Sequence, residues 1–355
     1  MLKLMTTSPL LTSHISSLIF WGTSEFAIPP LEALLNEGYS IVVVVTTPDK
    51  PAGRKQLLTP PPVKSWLTKH GTWNTKIKIL QPEKLSDENL KSEILNLKSD
   101  IFVVASYGKI IPADILALPK YGALNIHPSL LPRWRGPSPI QYTILNGDTE
   151  TGVTIIKMDE KMDHGPIVAN SKPQTLNSKT TYPELHDALA KTGAELLIET
   201  LSKWIAGEIK PIPQDESKAT YSKMLRKEDG HIDWSRPAEE IERMVRAFNP
   251  WPGAYAFWLK QFAWSELFAR PDLLGKSGLG LKNGTKLKIN ILKADVVTCA
   301  DSASFGTVLP SENGFMIQTR TECLAIHELQ LEGKKSTDAK SFLNGYPEFS
   351  KALLL

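Results

Sequence analysis

Asn125, His127 and Asp163 are side chains that together could move an acyl group onto an amine. In such a reaction the amine must lose a proton, and the tetrahedral intermediate must have its oxyanion held. An amide can donate N–H to that oxyanion, an imidazole can carry a proton, and a carboxylate can orient the imidazole. Asn125 and His127 stand two apart in Asn125-Ile126-His127-Pro128-Ser129-Leu130-Leu131-Pro132. On an extended segment their side chains therefore project to the same face. Asp163 follows on a second segment, Met162-Asp163-His164-Gly165, just before a Gly-Pro turn. A lone histidine at a strand end would read as an ordinary polar residue. The three side chains are candidates for one catalytic group.

These residues need a scaffold, and the pattern of the first half supplies one. Leu18–Gly22, Ile41–Val45, Ile101–Ala105 and Gly122–His127 are apolar, β-branched runs, the composition of buried central strands. Between them, Phe26–Asn36 and Asp87–Lys98 read as helices, with Gly38 stopping the first and a helical turn near Ala113–Leu118. Alternating strands and helices predict an α/β fold: a doubly wound, mostly parallel, Rossmann-like sheet. Ligands of such sheets bind beyond the carboxyl ends of the strands, where Gly22 and His127 fall. The first turn, Gly22-Thr23-Ser24-Glu25-Phe26, has one glycine where a dinucleotide fingerprint needs three, so no nicotinamide cofactor is expected.

Val153–Met158 and Ile167–Ala169 read as strands flanking the Asp163 turn, and a long helix over 183–206 closes the first domain. Residues 207–224, with Gly207, Pro211 and Pro213, read as a linker. An amphipathic helix follows, with Ser235 as its N-cap and Ile241, Met244, Val245 and Phe248 as its apolar stripe. Short strand-like runs after Asn249-Pro250-Trp251-Pro252-Gly253 suggest a small β-barrel. The expected organisation is an extension over 1–17, a catalytic domain over 18–206, the linker, and a smaller barrel domain over 225–345. A length of 355 residues fits two domains.

Composition narrows the classes. With 41% hydrophobic and 22% charged residues the chain is globular, and no apolar run nears the ~20 residues that cross a bilayer. Residues 1–17 hold no acid and many Ser and Thr, faintly like a transit peptide, but they lack Arg. The expected location is the cytoplasm, or an organelle matrix if that segment is a transit peptide. Cys299 and Cys323 belong to no Cys-x-x-Cys pair or His cluster, so no metal site is expected, and they read as buried thiols in a reducing compartment.

The chain resembles the folate-dependent formyltransferases, and among them those that act on methionine carried by initiator tRNA. The resemblance runs from Phe20-Trp21-Gly22-Thr23-Ser24-Glu25-Phe26-Ala27, with Ser24 where the family usually has Pro, through Pro48-Asp49-Lys50-Pro51-Ala52-Gly53-Arg54 and the Asn125–Pro132 run with its Arg133-Trp134-Arg135-Gly136 continuation. It continues in Lys227–Trp234, Asn249–Tyr255 and Gln330-Leu331-Glu332-Gly333-Lys334-Lys335, and is poor over 261–280. It implies transfer of the formyl group of 10-formyltetrahydrofolate to the α-amino group of methionine on initiator methionyl-tRNA, by a monomer with an OB-like second domain that helps bind tRNA. The resemblance is also what joins Asp163 to Asn125 and His127. By resemblance, Asn125 is an oxyanion donor, His127 shares that task and helps move the proton, and Asp163 orients His127 and orders a relaying water. Ser129, Leu130, Leu131 and Pro132 would hold the folate, with Tyr107, Gly108 and Ile110 of the Ser106–Pro112 segment beside the pterin.

Two basic stretches bear on RNA. The connection over 48–69 is long and Pro-rich, and carries Lys50, Arg54, Lys55, Lys64 and Lys69 against the single acid Asp49. Lys286-Leu287-Lys288-Ile289-Asn290-Ile291 alternates strictly, which would put Lys286, Lys288 and Asn290 on one strand face. With Lys210, Lys218, Lys223, Arg226 and Lys227 these make a plausible phosphate track. The competing readings are a formyltransferase acting on another amine, such as an amino-sugar nucleotide or a purine precursor, a hydrolase of 10-formyltetrahydrofolate, and a non-catalytic RNA-binding homologue.

Overall fold

The computed structural model describes residues 17–53, 55–70, 77–260, 285–299 and 303–355, and the chain divides into two compact units. Apart from Ser17, the extension expected over 1–17 lies outside the described residues, as do Arg54 and the poorly matching stretch 261–280.

The first unit carries β1 (Leu18–Gly22), β2 (Ile41–Val45), β3 (Lys50–Ala52), β4 (Leu57–Thr59), β5 (Lys78–Leu80), β6 (Ile101–Ala105) and β7 (Ala123–His127). It continues with β8 (Glu150–Thr151), β9 (Thr154–Lys157), β10 (Ile167–Asn170) and β11 (Gln174–Thr175). Seven of these form one sheet in the order β10-β9-β7-β6-β1-β2-β5. The five strands from β5 to β7 are parallel, and β9 and β10 return antiparallel at one side. Every residue of β1 and β6 is buried, as expected of strands covered on both faces.

The chain winds outward from β1 through β2 to β5, then comes back to lay β6 on the other side of β1. The order therefore reverses between β1 and β6, and this is where such sheets open a crevice at the carboxyl ends. Thr23 ties the loops there together. Its N–H donates to the Ser106 carbonyl (3.2 Å) and its hydroxyl to the Tyr107 carbonyl (2.8 Å). Gly22 is needed at the end of β1, since a Cβ there would lie 2.6 Å from the Phe20 ring and 2.7 Å from Ala27.

The helices follow the sequence with small shifts. The first spans Ile28–Asn36 and stops at Gly38, whose φ of +80° suits glycine. The second expected helix runs Glu88–Asn96, with the Asp87 carboxylate accepting from the Asn89 N–H at 2.9 Å. The long helix spans Tyr182–Ile205.

The second unit carries the helix Ala238–Phe248, whose Ile241, Met244, Val245 and Phe248 are all buried. Ser235 is not its N-cap. The cap is Pro237, and the Ser235 hydroxyl and N–H turn back to the Asp233 carboxylate at 2.6 and 3.0 Å. Then come β12 (Ala254–Lys260), β13 (Thr285–Val297), β14 (Val308–Ser311), β15 (Gly314–Gln318), β16 (Cys323–Leu331) and β17 (Thr337–Asp338). They form an antiparallel sheet in the order β12-β13-β16-β15-β14, with β17 on β16. Register breaks in β13 between Ile291 and Ala294 mark a bulge, the device that bends a strand. The result is a half-barrel. Its two ends are both paired with the last residues of the chain, Leu354 with Trp258 of β12 and Leu353 with Thr307 just before β14.

The cysteines overturn their expectation. Cys299 and Cys323 form a disulfide. Antiparallel pairing of β13 with β16 sets Val297 opposite Cys323, so strand pairing cancels a separation of 24 residues along the chain. The argument for a reducing compartment from two free thiols therefore falls. Among the described residues, no helix is long and apolar enough to cross a membrane, and no group of three or more His, Cys, Asp or Glu side chains could hold a metal ion.

Candidate active site

Asn125 and His127 lie on β7, which pairs with β6 on one side and β9 on the other, so both positions are fixed by the middle of a sheet. Asp163 sits in the connection between β9 and β10 and folds back over them. Its Oδ1 lies 3.4 Å from Asn125 Nδ2 and 3.5 Å from His127 Nδ1, and its Oδ2 accepts from the Gly136 N–H at 2.8 Å. His127 Nε2 donates to the Trp134 carbonyl at 2.9 Å. Oδ1 is thus the carboxylate oxygen with only long contacts, and it has capacity left for a water or an incoming amine.

The electrostatics follow from these partners. A carbonyl oxygen only accepts, so Nε2 of His127 carries a proton, and Nδ1 faces a carboxylate. Burial opposes the charged imidazolium, but the Asp163 charge and hydrogen bond, with the Trp134 carbonyl, hold His127 above its ordinary value. Burial likewise opposes the Asp163 carboxylate, and the His127 charge, the Gly136 N–H and the more distant Arg135 hold it below the usual carboxylate range. The arrangement favours an imidazolium beside a carboxylate. It offers an amide N–H and a positive charge to a developing oxyanion, and an acceptor oxygen to a departing proton.

The chain matches the formyl transferase family over residues 16–201 and that family's C-terminal domain over 224–347. It is 40% identical over 333 residues to the methionyl-tRNA formyltransferase of Bacillus velezensis, covering 93% of this chain and 95% of the relative. The methionyl-tRNA formyltransferase of Chloroflexus aurantiacus is 41% identical over 330 residues, covering 92% and 96%. The chain belongs to the methionyl-tRNA formyltransferase family. The fold also resembles solved structures of low identity. These include HypX from Aquifex aeolicus in complex with tetrahydrofolic acid (TM-score 0.58, 16% identical, 95% of this chain and 48% of that one) and an N-formyltransferase from Helicobacter canadensis (TM-score 0.56, 19% identical, 87% and 98%).

The residues expected to hold folate do not all present side chains to a cleft. Ser129 is buried, and its hydroxyl donates to the Arg133 carbonyl at 2.5 Å. Leu131 is buried, Leu130 and Pro132 are half-buried, and the Leu131–Pro132 peptide is cis. Tyr107 departs most from expectation. Its ring sits in the core edge-on to Trp21, with centroids 5.2 Å apart, and among the described residues its hydroxyl has no hydrogen-bond partner. Burial pushes that phenol well above its ordinary value. The Tyr107 carbonyl meets the crevice loop, where it accepts from the Thr23 hydroxyl at 2.8 Å. Gly108 and Ile110 are exposed, with Ile110 at 73%.

Thr154, which the sequence reading did not single out, fixes the Ser129–Pro132 turn. Its buried hydroxyl donates to the Ser129 carbonyl (2.7 Å) and accepts from the Leu131 N–H (3.0 Å). Thr154→Val keeps the shape and removes both bonds. Each buried group left unpaired costs about 1–3 kcal/mol. The variant should therefore show a clearly lowered melting temperature and weaker tetrahydrofolate binding; unchanged values for both would remove Thr154 from this role.

The basic stretch over 48–69 is a two-stranded hairpin of β3 and β4 leading into the helix Pro62–Lys69. Lys50 and Lys55 are exposed on it, beside Leu57 and Leu58, which are also exposed. Lys64 is not a free cation: its Nζ lies 2.9 Å from both Asp49 oxygens and 2.7 Å from Gln81 Oε1. In the second unit the expected alternation holds, with Ile289 and Ile291 buried. The lysines opposite do not simply point to solvent. Lys286 Nζ lies 3.9 Å from the Phe257 ring centroid and Lys288 Nζ 3.7 Å from that of Tyr255. Burial, then the neighbouring Lys227 charge, holds the Lys288 ammonium below its ordinary value.

Proposed function

We infer that the protein transfers the formyl group of 10-formyltetrahydrofolate to the α-amino group of methionine on initiator methionyl-tRNA, for translation initiation. The observation that carries this is identity of about 40% to methionyl-tRNA formyltransferases along nearly the whole chain, both units included. The sugar N-formyltransferases resemble this chain in fold at much lower identity, such as 21% for WlaRD, so the amino-sugar reading is not favoured.

In this reading the tetrahydrofolate donor lies against the Ser129–Pro132 turn and the Ser106–Pro112 loop. Asn125 Nδ2 and the positive charge of His127 stabilise the oxyanion formed when the amine attacks the formyl carbon. Asp163 Oδ1 takes the amine proton, directly or through a water. His127 acts chiefly through its charge, because both ring nitrogens already face protein partners. Lys50, Arg54 and Lys55 of the first unit and Lys286 and Lys288 of the second contact the tRNA backbone.

The decisive experiment incubates the protein with 10-formyltetrahydrofolate and methionyl initiator tRNA, an amino-sugar nucleotide, or no acceptor. Formyl-methionyl-tRNA should form at a rate far above sugar formylation and above hydrolysis of the donor. Equal or faster formylation of the sugar, or release of formate alone, would reject the reading. Lys55→Ala should weaken tRNA binding and make the slope of log affinity against log salt shallower by about one, as for one lost phosphate contact. An unchanged slope in titrations at several salt concentrations would return Lys55 to an ordinary surface lysine.

A further inference from the structure

Much of the segment 207–224, which reads as a linker, lies on the loops that carry the site. Gln214 donates from Nε2 to the Asp163 carbonyl and to the Gly165 carbonyl, both at 2.8 Å. Its Oε1 accepts from Arg135 Nε at 3.0 Å. The Arg135 side chain is 2% exposed and forks onto Glu216 with bonds of 3.0 and 2.6 Å. Thr220 accepts on its hydroxyl from the Trp134 N–H (2.9 Å), while its own N–H donates to the Pro132 carbonyl (3.2 Å). The two backbone pieces that define the site, the Trp134 carbonyl on His127 and the turn at Asp163, are therefore both held by one distant segment.

Asp163 needs that support. Its φ is +51°, in the left-handed region that residues with a Cβ seldom adopt. A non-glycine residue there costs on the order of 1–3 kcal/mol and persists only where its surroundings over-determine it. From outside the turn, the Gly136 N–H holds Oδ2, which fixes the carboxylate but not the peptide. The turn's own backbone bonds are a long one from the His164 N–H to the Lys161 carbonyl (3.5 Å) and one at its base from the Lys157 N–H to the Pro166 carbonyl (3.0 Å). The Gln214 amide grips the peptide, on the carbonyl of Asp163 itself and on that of Gly165 two residues later.

We propose that Gln214 is a positioning residue for formyl transfer: its Nε2 holds the left-handed turn at Asp163 and so aims the carboxylate at Asn125 and His127. This rests on the reading of Asp163 as the proton acceptor. Arg135, with Glu216 and His164 beyond it, holds the other end of the amide. His164 lies between Asp159 (2.6 Å) and Glu216 (3.5 Å), Glu160 and Lys161 stand on the same connection, and the Lys161 charge also acts on Glu216.

The two ends of the amide can be separated experimentally. Gln214→Glu keeps an oxygen for Arg135, and gains an ion pair there, but has no N–H for the two carbonyls. Gln214→Ala loses both ends. Measured on the full chain beside Asp163→Asn, Gln214→Glu should lower kcat by about 10- to 10²-fold, the scale of a misplaced reacting group. Its KM for the folate donor should stay within about two-fold, since the donor's turn is held by Thr154. Its pH profile should move in the same direction as that of Asp163→Asn, because a carboxylate that has drifted no longer supports His127. A Gln214→Glu protein with wild-type kcat and pH profile overturns the proposal, whatever its melting temperature, and shows an amide that only braces the segment. Gln214→Ala should be at least as impaired in kcat; if it does not fold, Gln214→Glu decides alone. Should Asp163→Asn itself turn over normally, the catalytic reading of Asp163 fails, and that outcome is distinct from failure of the Gln214 proposal.

Discussion

Replacing Asp163 with Asn should lower turnover by about 10²- to 10⁴-fold, the range for a lost acid–base group, and replacing His127 with Ala by about 10²- to 10³-fold, the loss for one oxyanion-stabilising group. Tetrahydrofolate binding should change little, since neither side chain belongs to the Ser129–Pro132 turn. The size of the effect comes from coupling. Asp163 Oδ1 faces both Asn125 Nδ2 and His127 Nδ1, so its charge orients the amide, keeps the imidazole protonated and offers the base. Asn at 163 has about the same shape but none of these properties. The double variant should fall far short of the product of the two single losses, because the groups act as one unit. The pH profile gives the sign. Activity should rise from acid pH as the attacking amine loses its proton, and fall at higher pH as His127 passes its raised value and becomes neutral. In Asp163→Asn the two larger raising influences, the Asp163 charge and hydrogen bond, are gone, while burial and the smaller contribution of the Trp134 carbonyl remain. His127 then titrates lower, and the alkaline limb should move to lower pH. Near-normal kcat in either well-folded variant, or an alkaline limb that stays in place in Asp163→Asn, would show that the trio is wrongly assigned.

What could be read in advance depended on whether the controlling interaction was local. The runs Ile41–Val45 and Ile101–Ala105 announce buried strands because β-branched and aromatic side chains suit a sheet covered on both faces, and both strands form there. The i, i+2 spacing of Asn125 and His127 is likewise local, and β7 does place them on one face. Asp163 could be associated with them only through the resemblance, since its approach needs the antiparallel return of β9. Interactions set by tertiary contact left no trace. Gln214 lies 51 residues from Asp163 in a Pro-bounded stretch that reads as a linker on composition alone. Tyr107 reads as a pterin neighbour from its motif, but the core beside Trp21 claims its ring. Lys64 reads as one cation among several until the hairpin brings Asp49 and Gln81 onto it. The cysteines read as separate thiols because nothing in their spacing reveals that β13 and β16 are neighbours. Ser235 illustrates a local rule losing to a nearer partner, its hydroxyl taken by Asp233 before it could cap the helix.

Asn125→Ala should lower kcat by about 10²- to 10³-fold, the loss measured for a single oxyanion-hole donor. The effect should fall on kcat far more than on KM. The formyl oxygen carries little charge in the bound donor and a full one only near the tetrahedral intermediate, so an N–H aimed at it binds the transition state selectively. The amide is well placed for this, since the β6–β7–β9 pairing fixes its backbone and Asp163 Oδ1 orients its nitrogen at 3.4 Å without saturating it. That length matters, because catalytic hydrogen bonds are often long in free enzymes and tighten when the reacting atoms arrive. Asn125→Asp is the sharper companion. It keeps the size but replaces the donor with a second carboxylate against Asp163, and like charges at that distance cannot both ionise comfortably. One of the two should hold a proton, and the site would then offer neither a clean oxyanion donor nor a dependable base. Asn125→Asp should therefore be at least as impaired as Asn125→Ala. If both variants instead raised the donor KM while kcat stayed within about two-fold of wild type, Asn125 would be a ground-state binding group. Oxyanion stabilisation would then rest on the His127 charge alone.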